Sequence, residues 1–284
     1  YWLALSLWSL AGLVAFMFAT TFWSTERRLI ILSLIAPLSF FNIALGQNGL
    51  LVAALFIGGL RLAKSKPIFS GILIGCLVFK PTLAILLPLA LLIERCWLAI
   101  LSAAATVIIL SALPAVIWGP SIWQSYLQQA VPFQQQLLEH GTGLFQMMKL
   151  TSFMSMSLLG FDNNTAYQVQ VIFALVALGL VASYAMRREL KGKLDGLDIT
   201  IFAAATLVII PYSHFYDMTL LTGGLLLICK ECTMSNKELI FRSNMFGILW
   251  ALPIMGFLLN IFNLPIAPFI LLIGLFLLCH IRPQ

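Results

Sequence analysis

The chain has 284 residues, of which 61% are hydrophobic and only 9% charged, with a formal net charge of +6. Soluble domains carry about 25% charged residues, so a soluble enzyme, a nucleic-acid binder and a disordered tail are excluded. The apolar content suffices for about eight or nine helices of some 20 residues, the length that crosses a bilayer.

Tyr1 stands first instead of Met, directly before an apolar run, without the charged start and small-residue cleavage site of a signal peptide. The expectation is a fragment whose N-terminal part is missing. Apolar runs then cover residues 1–23, 29–45, 49–60, 67–79, 82–93, 97–118, 166–186, 198–211, 216–229, 245–261 and 264–280. In lipid, backbone groups must be satisfied within the segment, and nothing here alternates with period two, so these runs are helices. The expected fold is all-α: one polytopic transmembrane bundle over residues 1–284, with about 9 to 11 membrane segments.

Alternating the breaks between two sides puts all but Lys80 and Lys149 of the 16 Lys and Arg residues on one side. The positive-inside rule makes that side cytoplasmic. The chain is therefore expected to start outside a cell (inner) membrane and end in the cytoplasm.

Gly46-Gln47-Asn48 is the first break on the outer side. Its neutral amides donate and accept hydrogen bonds and suit a hydroxyl-rich ligand such as a sugar. The alternative is a tight turn. Runs 67–79 and 82–93 are too short to span: about 18–20 Å at 1.5 Å per residue, against a hydrocarbon core of about 30 Å. Lys80, between them, then sits below the outer surface, where a cation needs a cavity and a phosphate is its natural partner. The competing reading is a misplaced helix end. Gly71 and Gly75 form a G-x-x-x-G, which points to close helix packing.

Residues 119–165 form one long extracytoplasmic connection. Within it, Ile122, Trp123, Tyr126, Leu127, Ala130, Phe133 and Leu137 recur at helical spacing among glutamines, and Pro132 kinks or restarts the helix. This reads as an interfacial helix, either a passive connector or a lid and guide for a lipid substrate. Asn163-Asn164-Thr165 fits a glycosylation pattern that carries no meaning in a bacterium.

His214 and Asp217 follow in the turn Pro211–Asp217, flanked by Tyr212 and Tyr216. A three-residue spacing places both groups on one face of a helical turn. The His can donate to a phosphate oxygen and the Asp can orient it or take a proton. A structural pair tying two helix ends is the alternative, and the two tyrosines also fit an interfacial belt. Together these groups line an outward-facing cavity walled by short or re-entrant helices. Cys229 and Cys232 form a C-x-x-C with no second pair or nearby His, so no metal site is expected. His280 reads as structural and Glu139 and His140 as a weak signal.

The order of these motifs resembles glycosyltransferase family 87, membrane enzymes of the polyprenyl-phosphate-dependent GT-C class. The resemblance rests on Gly46-Gln47-Asn48, a short basic turn, Gly71 and Gly75, Lys80-Pro81, Arg95 with Trp97, the long connection with Trp123 and Glu139-His140-Gly141, and the late motif PYSHFYD at 211–217. It implies transfer of a hexose, such as mannose, from a polyprenyl phosphate to an acceptor hydroxyl on a glycan or lipid, at the outer face and with inversion. No cofactor and no nucleic acid is implied. Lys80 and His214 would hold the donor phosphate, and Gln47, Asn48, Tyr212 and Tyr216 the sugar or acceptor. The family's catalytic base is an Asp in a first outer loop, ahead of Tyr1. Asp217 is the outer-face carboxylate left in a cavity position, and Glu139 and Asp162 sit in the connection. The fragment alone is expected to be inactive. The alternative function is a transporter or flippase of a glycolipid or anionic solute, which calls for internal repeats and midplane ionisable groups.

Overall fold

The computed structural model describes residues 2–21, 36–188, 194–231 and 236–281. Tyr1, Arg27, Arg28, residues 29–35, Lys191, Lys193, Cys232 and Arg282 lie outside them, as do the side chains of Lys237 and Arg242.

The described residues form an all-α bundle. In chain order the helices are α1 (Trp2–Thr21), α2 (Pro37–Ala44), α3 (Gly49–Leu62), α4 (Pro67–Gly75), α5 (Leu87–Ile93), α6 (Trp97–Trp118), α7 (Ser121–Ser125), α8 (Val131–His140), α9 (Leu144–Met147), α10 (Ser152–Leu158), α11 (Asn163–Arg187), α12 (Gly196–Ile209), α13 (Thr219–Glu231), α14 (Asn236–Ile261) and α15 (Ala267–His280). Four segments among the described residues are long and apolar enough to cross a membrane: Trp2–Thr20, Trp97–Trp118, Asn163–Arg187 and Asn244–Ile261. The shorter apolar helices pack between and beside them. This is a membrane protein.

α12 is the hub. Twelve of its 14 residues are buried, which is where a helix with no polar face must sit. It packs against α11, α13 and α15. α6 is the opposite case: Ala99 is its one fully buried residue. Much of the rest of α6 is apolar and exposed, as a helix facing lipid is. It reaches the bundle through α4, where the G-x-x-x-G does what its spacing predicts. A Cβ on Gly71 would stand 2.5 Å from the Ala99 carbonyl, and one on Gly75 2.5 Å from the Thr106 side chain. The missing side chains let the two backbones approach.

The break at Lys80 is a real interruption. 3-10 turns at Cys76–Phe79 and Pro81–Ala84 flank it, and Lys80 itself has non-helical backbone (φ −142°, ψ 62°). Pro81 disfavours helical geometry at the residue before it. In the long connection, α7 runs through a π turn at Tyr126–Ala130 into α8, and Pro132 directly follows that turn. Tyr126, Leu127 and Phe133 are exposed, and a shallow cavity of about 570 Å³ opens along Ile122, Tyr126 and Phe133.

A buried charge cluster sits at the start of α12. Arg188 pairs with Glu94 and, at 2.5 Å through Nε, with Asp198. The Tyr184 hydroxyl donates to Asp198 Oδ1 at 2.7 Å, and Lys64 donates to the Glu94 carbonyl. Asp195 caps α12, and Asp198 returns the bond to the Asp195 N–H at 2.8 Å. One guanidinium thus joins the α5–α6 turn, the end of α11 and the start of α12.

Candidate active site

The other end of α12 leads into the turn 210–218, and the turn is held from three sides. The 148–150 segment pairs with it as an isolated antiparallel bridge between Lys149 and His214. Phe215 N–H donates to the Met148 carbonyl at 2.8 Å, and Leu150 N–H to the Ser213 carbonyl at 3.2 Å. Asn260 of α14 fixes that segment by donating to the Met147 and Lys149 carbonyls at 2.9 and 3.1 Å. Asn42 of α2 donates to Thr219 Oγ1 at 2.9 Å and to the Tyr216 carbonyl at 3.3 Å.

The 3-10 turn Phe215–Met218 buries Asp217, whose side chain is 1% exposed. Its Oδ2 accepts from the His214 backbone N–H at 3.1 Å, and its Oδ1 lies 2.5 Å from Lys80 Nζ. Lys80 also donates to Asn48 Oδ1 at 3.3 Å and stands 5.4 Å from the centre of the Tyr216 ring. Its side chain is 23% exposed, so the ammonium is the open edge of the pair.

Asn48 reaches Lys80 because α3 starts very close to the turn. A Cβ on Gly49 would stand 2.4 Å from the Tyr216 carbonyl and 2.5 Å from Asn42 Oδ1, so the position accepts no side chain. Gly46, at φ +61°, turns the chain into this approach. The tight turn is present in the tripeptide, and its Asn48 amide oxygen accepts from Lys80.

The His214 imidazole contacts two aromatic rings. It stacks on Tyr216, with centroids 4.9 Å apart and planes 9° off parallel, and meets Phe145 at 4.9 Å with the planes tilted by 49°. Its Nδ1 lies 3.8 Å from Asp217 Oδ2. Its Nε2 is buried and has no hydrogen-bond partner. Buried polar atoms are normally satisfied, so this nitrogen is an exception within the cluster.

The fold therefore brings Lys80, Asp217, His214, Asn48 and Tyr216 into one cluster. Gln47 is partly buried beside it. Tyr212 points to a separate small cluster with Leu138, Phe153, Met154 and Tyr167, where Glu139 accepts from the Tyr167 hydroxyl at 2.8 Å. Burial first, and then the charge of Glu139, raise the Tyr212 phenol above its usual range. His140 is exposed, and His280 bonds only within its own helix, to the Phe276 carbonyl at 2.7 Å. Asn42, Phe145 and the Glu94–Arg188–Asp198 cluster carried no signal in the sequence. No group of three or more His, Cys, Asp or Glu that could hold a metal occurs among the described residues.

The model of glycosyltransferase family 87 matches residues 1–211. The chain belongs to glycosyltransferase family 87. No curated protein and no solved structure matches it. The match holds Asn48, Lys80 and Lys149 and ends at Pro211, so His214 and Asp217 lie just beyond it. In this glycosyltransferase the turn after Pro211 is nonetheless built into the matched part, through the bridge to Lys149 and the ion pair to Lys80.

Proposed function

We propose that the protein transfers a hexose, with mannose first in line, from a polyprenyl-phosphate donor to a hydroxyl of a glycan or lipid acceptor at the outer face of a cell membrane. The observation that carries this is the buried, unpartnered His214 Nε2 beside the half-open Lys80 ammonium. A donor phosphate is the ligand that both groups recognise.

In the reaction, the acceptor oxygen bonds to the sugar C1 as the bond from C1 to the phosphate oxygen breaks, with inversion. The electron pair leaves on the phosphate, which passes from a monoanionic diester to a dianionic monoester. The acceptor proton goes to a base. Lys80 and His214 stabilise the charge that develops on the leaving phosphate, which is where preorganised donors act most strongly. Asp217 has one oxygen on Lys80 and the other on the His214 N–H, so its role is to aim the cation. Asn48 and Gln47 offer amides to sugar hydroxyls and Tyr216 supports His214, while Tyr212 belongs to the neighbouring cluster with Tyr167. The helix pair α7–α8, with its exposed aromatic residues, guides the isoprenoid chain.

The test is a transfer assay with the complete protein in proteoliposomes and polyprenyl-phosphate mannose as donor. Transfer should fall at least 100-fold in Lys80→Met and in His214→Ala, the loss typical of removing one charge-stabilising donor. If no polyprenyl-phosphate hexose is used, or if both variants turn over normally, the reading fails.

A further inference from the structure

The charge balance of the site points to a residue outside its contact shell. Lys80 is already neutralised by Asp217 at 2.5 Å, so the pair brings no net positive charge to a phosphate. Among the described residues packed at this turn, Lys149 is a second cation, and its hydrogen-bond partners include no carboxylate. Its side chain is buried, with the residue 2% exposed, and its Nζ donates to Gln146 Oε1 and, at 3.4 Å, to the Leu137 carbonyl. Both acceptors are neutral. An ammonium buried on neutral oxygens is costly, and such groups are kept where they serve a charge elsewhere.

The position is precise. Lys149 is bridged to His214 through the backbone, and Asn260 pins its carbonyl. The Phe145 ring touches both groups: its centre is 4.9 Å from the His214 ring and 5.3 Å from Lys149 Nζ. Those two contacts bound the ammonium to within about 10 Å of the imidazole, with the Phe145 ring in contact with both.

We propose that Lys149 is an electrostatic positioning residue for the leaving phosphate, a fixed cation behind Phe145 whose field stabilises the second negative charge that the phosphate gains. The inference rests on the polyprenyl-phosphate reading of the site. A phosphate held by the imidazole lies a few ångströms further off; at roughly 10–13 Å and an effective dielectric near 20, one unit charge on another is worth about tenfold in affinity. Burial pulls the Lys149 ammonium down to about 8. The titratable groups on the elements packed around it are Glu139 and His140 on α8 and Tyr212, His214 and Asp217 on the turn, with Lys80 beyond. Glu139 is occupied by Gln135 and Tyr167, each at 2.8 Å. A group with a lowered value is charged below it, so the field is present at pH 7 and lost as pH rises through about 8.

The experiment measures binding of farnesyl phosphate, a short soluble stand-in for the dianionic product, to the complete protein in detergent, with farnesol as the neutral control. The unsubstituted protein should prefer the phosphate, with affinity falling between pH 7 and 9.5. Lys149→Met should lose about tenfold of the phosphate affinity and none of the farnesol affinity. Lys149→Arg, which keeps its charge at all these pH values, should retain the affinity and lose the alkaline fall. Lys149→Met binding the phosphate within twofold of the original, or Lys149→Arg keeping a fall near pH 8, overturns the proposal while leaving the Lys80 and His214 site standing. Equal binding of farnesol and farnesyl phosphate by the unsubstituted protein removes the polyprenyl-phosphate reading itself, and this inference with it.

Discussion

Lys80 Nζ and Asp217 Oδ1 meet at 2.5 Å although 137 positions separate them in the chain. Asp217 is almost fully buried and Lys80 is not. Removing one partner of a buried pair leaves an uncompensated charge and costs about 3–5 kcal/mol, whereas removing both charges costs much less. Lys80→Met should therefore lower the thermal stability of the solubilised protein clearly, toward the low end of that range because Lys80 is partly solvated. Lys80→Met with Asp217→Asn should recover at least half of the loss and remain inactive. Equal destabilisation in the single and double variants contradicts the pairing.

Gly49 is the tightest backbone approach at the site. Gly49→Ala places a methyl group 2.4 Å from the Tyr216 carbonyl and 2.5 Å from Asn42 Oδ1, neither of which is the free end of a flexible chain. Overpacking of this kind costs about 1–3 kcal/mol. It should also carry Asn48 away from Lys80, so transfer activity should fall more steeply than stability. A Gly49→Ala protein with full activity and unchanged melting temperature refutes the close approach.

The charge cluster at the far end of α12 makes a separate prediction. Arg188 is the guanidinium between Glu94 and Asp198, whose side chains are at most 1% exposed. Arg188→Met should destabilise by about 3–5 kcal/mol. Along the 14 residues of α12 the site is about 21 Å away, so the protein that remains folded should keep its donor KM. A large KM change without loss of stability shows that the cluster acts on the site.

Orientation can be read with cysteines at the two ends of α3. Gln47→Cys should be labelled by an impermeant maleimide added to intact cells, and Lys66→Cys only after the inner face is opened. Both side chains are at least partly exposed, and α3 of 14 residues lies between them. The reverse pattern places the site on the cytoplasmic side.

Much of this protein was legible before any coordinates. Sixty-one per cent apolar residues left no fold but a membrane bundle. The skew of Lys and Arg singled out Lys80 and Lys149, and the Gly71–Gly75 spacing announced the α4–α6 contact. His214 and Asp217 stood out because a charged group beside apolar runs needs a reason to be there. These signals are local: composition, period and spacing are properties of a segment.

What only the tertiary structure decided is who meets whom. The pairing of Lys80 with Asp217 depends on the 79–81 break and the 215–218 turn arriving at one point, which no segment encodes alone. That pairing gave Lys80 a buried carboxylate partner that the sequence did not show. It moved the uncompensated charge to Lys149, which the sequence had marked only by its side of the membrane. The same holds for Asn42, Phe145 and Arg188, ordinary residues in their own segments that acquire their roles from partners far along the chain. Hydrophobic burial is non-directional and can be counted from the sequence. Charge pairing and hydrogen bonding depend on distances of a few ångströms, and those distances exist only in the folded chain.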